Sequence, residues 1–195
     1  VRSRTSNFPE DFKPEKATTY LLAFLDEAPF ANYGQHWLDE RKQGKKSFVC
    51  PRSLDGTSDC PLCDMLGDDP RAIAAFNVIV FEEVTKRRET TYEPSLKIWS
   101  TGPQLTGVLE AIGKDEKTKP LNDGYVTYSW RQTGSRRNQV AYSAHKIKDR
   151  DVEDDWKIEP LSDDEFAAFE KKAYDETAIR VPTYDELEEV ANELL

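Results

Sequence analysis

The chain is poor in residues that bind metals or form cross-links: three cysteines, two histidines and one methionine among 195 residues. A disulfide scaffold of the secreted type is excluded, because such frameworks need several cysteine pairs. No apolar run approaches the roughly 18 residues of a membrane-spanning helix, and mean hydropathy is −0.74. A glycine-rich phosphate loop, a nucleophile elbow and a His-Glu-x2-His signature are all missing, so the chain reads as non-enzymatic. Repeats and low-complexity blocks are absent too. The opening residues carry no secretory signal, which leads us to expect a protein of the reducing cytoplasm. Val1 in place of Met reads as a trimmed or processed start.

The scarce residues are gathered in one window. His36, Cys50, Cys60 and Cys63 follow one another as His-x13-Cys-x9-Cys-x2-Cys, which supplies four ligands of the right kind for one tetrahedral zinc. A Cys-x2-Cys turn can place two thiolates on a small cation, and Pro61 stiffens that turn. The intervening PRSLDGTSD, residues 51–59, is rich in turn formers and can bring Cys50 back. Mixed thiolate and imidazole ligation favours zinc, and four protein ligands leave no open position for catalysis. A deaminase-type site would instead need His-x-Glu and would keep one position for water. Three alternatives stay open: His145 in place of His36 as the fourth ligand, three unrelated thiols, and one disulfide beside a free thiol.

Net charge is −10, yet it is unevenly spread. Residues 149–195 hold 17 acids and 5 bases, and residues 1–148 hold 20 acids and 22 bases. The body is therefore near neutral and locally basic, and the end is strongly acidic, a composition that recurs in interaction tails. Capping boxes at Ser162/Glu165 and Thr183/Glu186 predict short acidic amphipathic helices there, whose apolar edges would dock on the body or on a partner. Residues 1–16, with the cluster Arg2-Ser3-Arg4-Thr5-Ser6, read as a flexible arm.

Between arm and tail, the pattern is mostly β. Residues 18–24 (TTYLLAF) read as a strand, residues 42–48 as a basic turn and strand, and 69–75 as a short helix opened by Asp69 and Pro70. FNVIVFEE at 76–83 is the clearest strand. The bases Lys86, Arg87 and Arg88 then form a turn before a second strand ending at Trp99. Residues 103–113 fit one amphipathic helix stopped by Gly113.

Residues 124–148 (GYVTYSWRQTGSRRNQVAYSAHKIK) form two β-rich runs joined by a basic tip. Tyr125, Tyr128, Trp130 and Tyr142 interleave with Arg131, Arg136 and Arg137. Rings stack on unpaired bases, worth about 1–3 kcal/mol each, while lysine and arginine track phosphates. Duplex DNA hides its base faces, so this pattern favours single strands. With Lys45, Lys46, Phe48, Lys86, Arg87, Arg88 and Trp99 these residues are the candidate nucleic-acid contacts, although at least half of the aromatics are expected to be core. RNA and DNA are not distinguished by any of them.

The zinc pattern, most firmly over residues 49–63, resembles that of the single-stranded DNA-binding (helix-destabilising) proteins of T4-type and related phages. The resemblance implies a mainly β (α+β) fold: an OB-fold barrel over residues 17–148, with a structural zinc subdomain inserted at about 33–75, between the arm (1–16) and a partly helical acidic tail (149–195). It implies sequence-nonspecific binding that protects and presents single-stranded DNA during replication, recombination and repair. By the same resemblance the tail recruits replication and recombination proteins and screens the DNA groove, the arm supports cooperative self-association on DNA, and the cell compartment is the host cytoplasm. Bases followed by hydroxyls, at 2–6 and 86–91, are similar in kind to a motif of that family. The competing reading is a zinc-stabilised protein-interaction module whose aromatic hairpin is only core.

Overall fold

The computed structural model describes residues 9–86, 89–115, 120–136 and 138–195. In chain order the elements are β1 (Tyr20–Phe24), β2 (Ala31–Trp37), β3 (Ser47–Val49), α1 (Arg52–Asp55), α2 (Pro61–Asp64), β4 (Arg71–Lys86), β5 (Glu89–Thr101), α3 (Pro103–Lys114), β6 (Tyr125–Gln132), β7 (Val140–Ile147), α4 (Asp149–Asp151), α5 (Asp163–Glu170) and α6 (Tyr184–Leu194). A π-helical turn, Val152–Trp156, continues α4, and a 3-10 turn, Glu176–Ala178, precedes α6. The strands with defined register pair antiparallel, and among the described residues the sheet is open, with no closure into a barrel. None of the described helices is long and apolar enough to cross a membrane.

The chain divides into two compact units. One holds the residues up to Phe30 together with Ala75–Tyr174; the other holds Ala31–Ala74 with Asp175–Leu195.

In the first unit β1 is central because it is apolar throughout and can lose both faces to packing. It pairs with β4 (Leu22↔Val80, Phe24↔Val78) and with β6 (Tyr20↔Tyr128, Leu22↔Val126). β7 follows β6 in the order, and β5 pairs with β4. Gly102 and Pro103 start α3, whose buried Leu105 and Leu109 mark its inner stripe. One core cluster combines Leu21, Ile79, Phe81 and Tyr125 with Val152, and Trp156, Ile158, Leu161, Phe166 and Phe169 pack against it. Residues 149–174 are thus a folded layer, tied down by the Tyr125 hydroxyl, which accepts from the Leu161 amide at 2.7 Å. Buried Asn77 accepts from the Tyr174 amide and donates to its carbonyl.

Residues 9–16 are also folded, within the stretch expected to be an arm; 1–8, with the Arg2–Ser6 cluster, lie outside the described residues. The cause is Phe12, which is buried edge-on against Tyr20 and Trp99. Its amide donates to the Ile98 carbonyl, and the Ile98 amide donates to Glu10.

In the second unit β2 lies between β3 and β4, whose opening residues 71–74 belong here. The helix expected over 69–75 is a correction: β4 begins at Arg71. The local helix-start chemistry of Asp69 and Pro70 is overridden by strand pairing, because the ladder with neighbouring strands satisfies the same backbone groups. Both expected capping boxes form, at Ser162/Glu165 before α5 and at Thr183/Glu186 before α6. Of the two fates open to the apolar edge of α6, docking within the chain is the one observed. Leu187, Val190 and Ala191 are buried with Leu38, Phe48, Cys50, Cys60 and Leu62.

Candidate metal centre

Each ligand is set by short-range structure. β2 pairs with β3 so that His36 faces Phe48 across the ladder, and Cys50 follows β3 directly. The Cys50 amide donates to the Gly34 carbonyl at 2.8 Å. Ser53 in α1 then closes the corner, its hydroxyl donating to the Cys50 carbonyl and accepting from the Gly34 amide. Gly34 has to be glycine here, since a Cβ would stand 2.9 Å from both the Pro70 and Ser53 Cβ atoms. Cys60 caps α2 in extended conformation, Pro61 takes its first position, and Cys63 returns one turn later.

The result is one cluster: the ligand atoms of His36, Cys50, Cys60 and Cys63 all lie within 4.8 Å of one another. His36 Nε2 is 3.4 Å from Cys60 Sγ and 3.6 Å from Cys63 Sγ, and Cys50 Sγ is 3.7 Å from Cys63 Sγ. The edges of a tetrahedron built on ordinary zinc–sulfur and zinc–nitrogen bonds are about 3.8 Å and about 3.6 Å, so one ion fits the four atoms. All three cysteines are free thiols, too far apart for a bond of about 2.05 Å, and no disulfide joins them. His145, the alternative ligand, is exposed and hydrogen-bonds the Ser143 hydroxyl at 2.9 Å.

The surroundings are tuned to a cation. His36 is fully buried, and its Nδ1 lies 2.6 Å from Asp68 Oδ2, which leaves Nε2 aimed at the thiols. Burial pushes the Cys63 thiol up to about 12, with the neighbouring thiols adding to the shift, and burial likewise raises Cys60. Three thiolates cannot share this pocket without a positive charge among them. Arg52 of α1 pairs with Asp64 of α2 at 2.6 Å and interacts electrostatically with Cys60 and Cys63.

The expected nucleic-acid contacts fall into distinct groups. In the first unit a cleft of about 380 Å³ is lined by Phe12, Trp99, Tyr128, Trp130 and Tyr142 together with Lys13 and residues 100–102. Trp130 and Tyr142 are half-buried and directly opposed across β6 and β7. The Trp130 indole N–H donates to the Pro14 carbonyl at 2.9 Å, which fixes the ring. Arg131 and Arg136 are exposed. Trp99, Tyr125 and Tyr128 are 1–2% exposed and have no face free for a base, which corrects their assignment as stacking residues. The physical reason is that both faces of β6 are covered: Tyr125 packs with Leu21, Ile79 and Phe81 on one side, and Tyr128 packs against Trp99 of β5 on the other. Phe48 is likewise buried, in the second unit, with Lys45 Nζ 5.4 Å and Arg41 Cζ 5.7 Å from its ring centre. Lys45 and Lys46 are exposed. Lys86 ends β4 and its side chain, like Arg87, Arg88 and Arg137, lies outside the described residues.

Sequence reasoning missed Asp68, Arg52 and Phe12. Asp68 gave no signal beyond lying one turn past the Cys-x2-Cys pair. No family model, curated protein or solved structure matches this chain.

Proposed function

We propose that the ion is zinc and that the chain binds single-stranded DNA without strong sequence preference, in the manner of the phage helix-destabilising proteins, its sheet serving as an OB-type platform. Zinc fits the three-thiolate, one-imidazole donor set. It does no chemistry here. It supplies folding free energy to a unit that is otherwise short and polar.

The observation that carries the reading is the Trp130–Tyr142 pair. Two half-exposed rings sit opposite each other on neighbouring strands and line an aromatic cleft, and the same hairpin carries exposed Arg131 and Arg136. An unpaired base can stack there while the arginines meet the phosphates. The test is intrinsic tryptophan fluorescence during titration with mixed-sequence single-stranded DNA, RNA and matched duplex at two salt concentrations. Quenching by single-stranded DNA alone, weakened at high salt through counterion release, is the expected result. Equal quenching by RNA would redefine the ligand, and no response to any nucleic acid would overturn the reading.

A zinc-held protein-interaction module is the second reading, favoured by the burial of Trp99, Tyr125 and Tyr128. In that case the aromatic richness of the hairpin is packing.

A further inference from the structure

We propose that Trp37, on the metal-bearing unit, is a second stacking platform for unpaired bases; this rests on the single-stranded DNA reading above. All five exposed large apolar side chains among the described residues, Trp37, Leu54, Val181, Tyr184 and Leu195, belong to that unit. Trp37 is 45% exposed, against 2% for Trp99. An indole left in water on a strand forgoes hydrophobic stabilisation that burial would give.

Its setting selects the ligand. Trp37 stands between buried His36 and buried Leu38, so its backbone is clamped on both sides. Ser47 is its cross-strand partner, and the Leu38 amide donates to the Lys46 carbonyl at 2.8 Å. Gln35 precedes it on the same strand face by alternation. Its immediate neighbours on that face are a small hydroxyl and an amide, with the apolar Val49 and Tyr33 further along it and buried, so close to half of the indole stays in water.

The turn beyond it reads DERKQGKK over residues 39–46. Lys42, Lys45 and Lys46 are exposed there, with Asp39 and Glu40 as the opposing acids. Arg41 is engaged by Glu193 at 2.9 Å. A tip with no apolar residue cannot insert into a bilayer, which disfavours a lipid surface as the occupant. A flat ring beside flexible ammonium groups suits one base and its flanking phosphates. The metal acts on this site only through position: it holds His36, and His36 holds the strand that presents Trp37.

The test compares the full chain with Trp37→Ala, Trp37→Phe and Trp130→Ala. Binding of a fluorescein-labelled, mixed-sequence 20-nucleotide single strand is read by anisotropy, alongside zinc content and melting temperature. Trp37→Ala is expected to weaken binding about 5- to 100-fold, the range of one lost stacking contact, with zinc content and melting temperature unchanged. Trp37→Phe should retain most of the affinity. If Trp37→Ala binds like the wild type while Trp130→Ala is impaired, this proposal is overturned and the DNA reading stands. A wild-type chain that ignores the oligonucleotide overturns both. Loss of binding to anionic phosphatidylserine vesicles in Trp37→Ala, with DNA binding intact, would assign the indole to a membrane surface instead.

Discussion

His36 turns one ring nitrogen to Asp68, at 2.6 Å, and the other to the sulfurs of Cys60 and Cys63, at 3.4 and 3.6 Å. The carboxylate therefore selects the tautomer with the proton on Nδ1 and orients the imidazole plane. Such partners raise ligand basicity, and their loss lowers metal affinity about 10- to 100-fold. Asp68→Ala should show that loss in competition with a chromophoric chelator, and Asp68→Asn, which keeps an acceptor oxygen, should lose less. Equal affinity in all three proteins would mean that the ring is held by packing alone.

Gly34 supplies a test of the corner that seats Cys50. A methyl group there would meet two Cβ atoms at 2.9 Å, one on a proline and one next to the backbone of α1, so neither neighbour can yield cheaply. Gly34→Ala should destabilise the protein by about 1–3 kcal/mol, as overpacking does, and should reduce retained zinc. The control is Gly107→Ala, where added carbon meets nothing within 4 Å inside α3. Helix propensity makes that change stabilising by about 0.5–1 kcal/mol. Thermal melts of both variants check the contrast, and matching melting temperatures would refute it.

The ligand set was legible in the sequence because scarcity did the sorting: three cysteines and one nearby histidine leave few ways to build a tetrahedron. The strands around FNVIVFEE and GYVTYSW were legible from apolar runs and alternation, and both capping boxes from local chemistry. Alternation, however, assigns residues to faces without saying which face meets the core. Nor does it say how far along a strand the cover extends: Tyr128 and Trp130 share one face of β6, yet Tyr128 is buried and Trp130, nearer the hairpin tip, is half-buried. Residues 69–75 satisfied the local rules for starting a helix but are governed by ladder partners distant in sequence. Asp68, Phe12 and the docking of α6 depend on contacts that no local pattern records.

The docking of α6 has a consequence for metal removal. Leu187 and Ala191 are fully buried in the cluster that contains Cys50, Cys60 and Leu62, so the helix and the metal turns share one core. Leu187→Ala should cost about 2–5 kcal/mol and lower zinc affinity as well. Stripping the metal from the wild-type chain should in turn raise amide hydrogen exchange over residues 184–194. Exchange there that stays as slow in the metal-free protein as in the loaded one would show that α6 is held independently of the ion.

Tyr128 and Trp130 sit two residues apart on β6 and should respond in opposite ways to truncation. Tyr128 is 1% exposed and packs edge-on against Trp99 at 4.6 Å, so Tyr128→Ala should remove about 3–5 kcal/mol of stability, as buried aromatic truncations do. Trp130 is half-buried, opposite Tyr142 in the lining of the cleft, and its indole N–H donates to the Pro14 carbonyl. Trp130→Ala should therefore cost less stability than Tyr128→Ala and weaken single-strand binding about 5- to 100-fold. Trp130→Phe separates the two roles of the indole: it keeps a stacking face and loses the Pro14 bond, so binding should largely survive. Urea melts and anisotropy titrations on the three variants decide the matter. If Trp130→Ala unfolds as readily as Tyr128→Ala, the ring is core, and the protein-interaction reading gains over the DNA one.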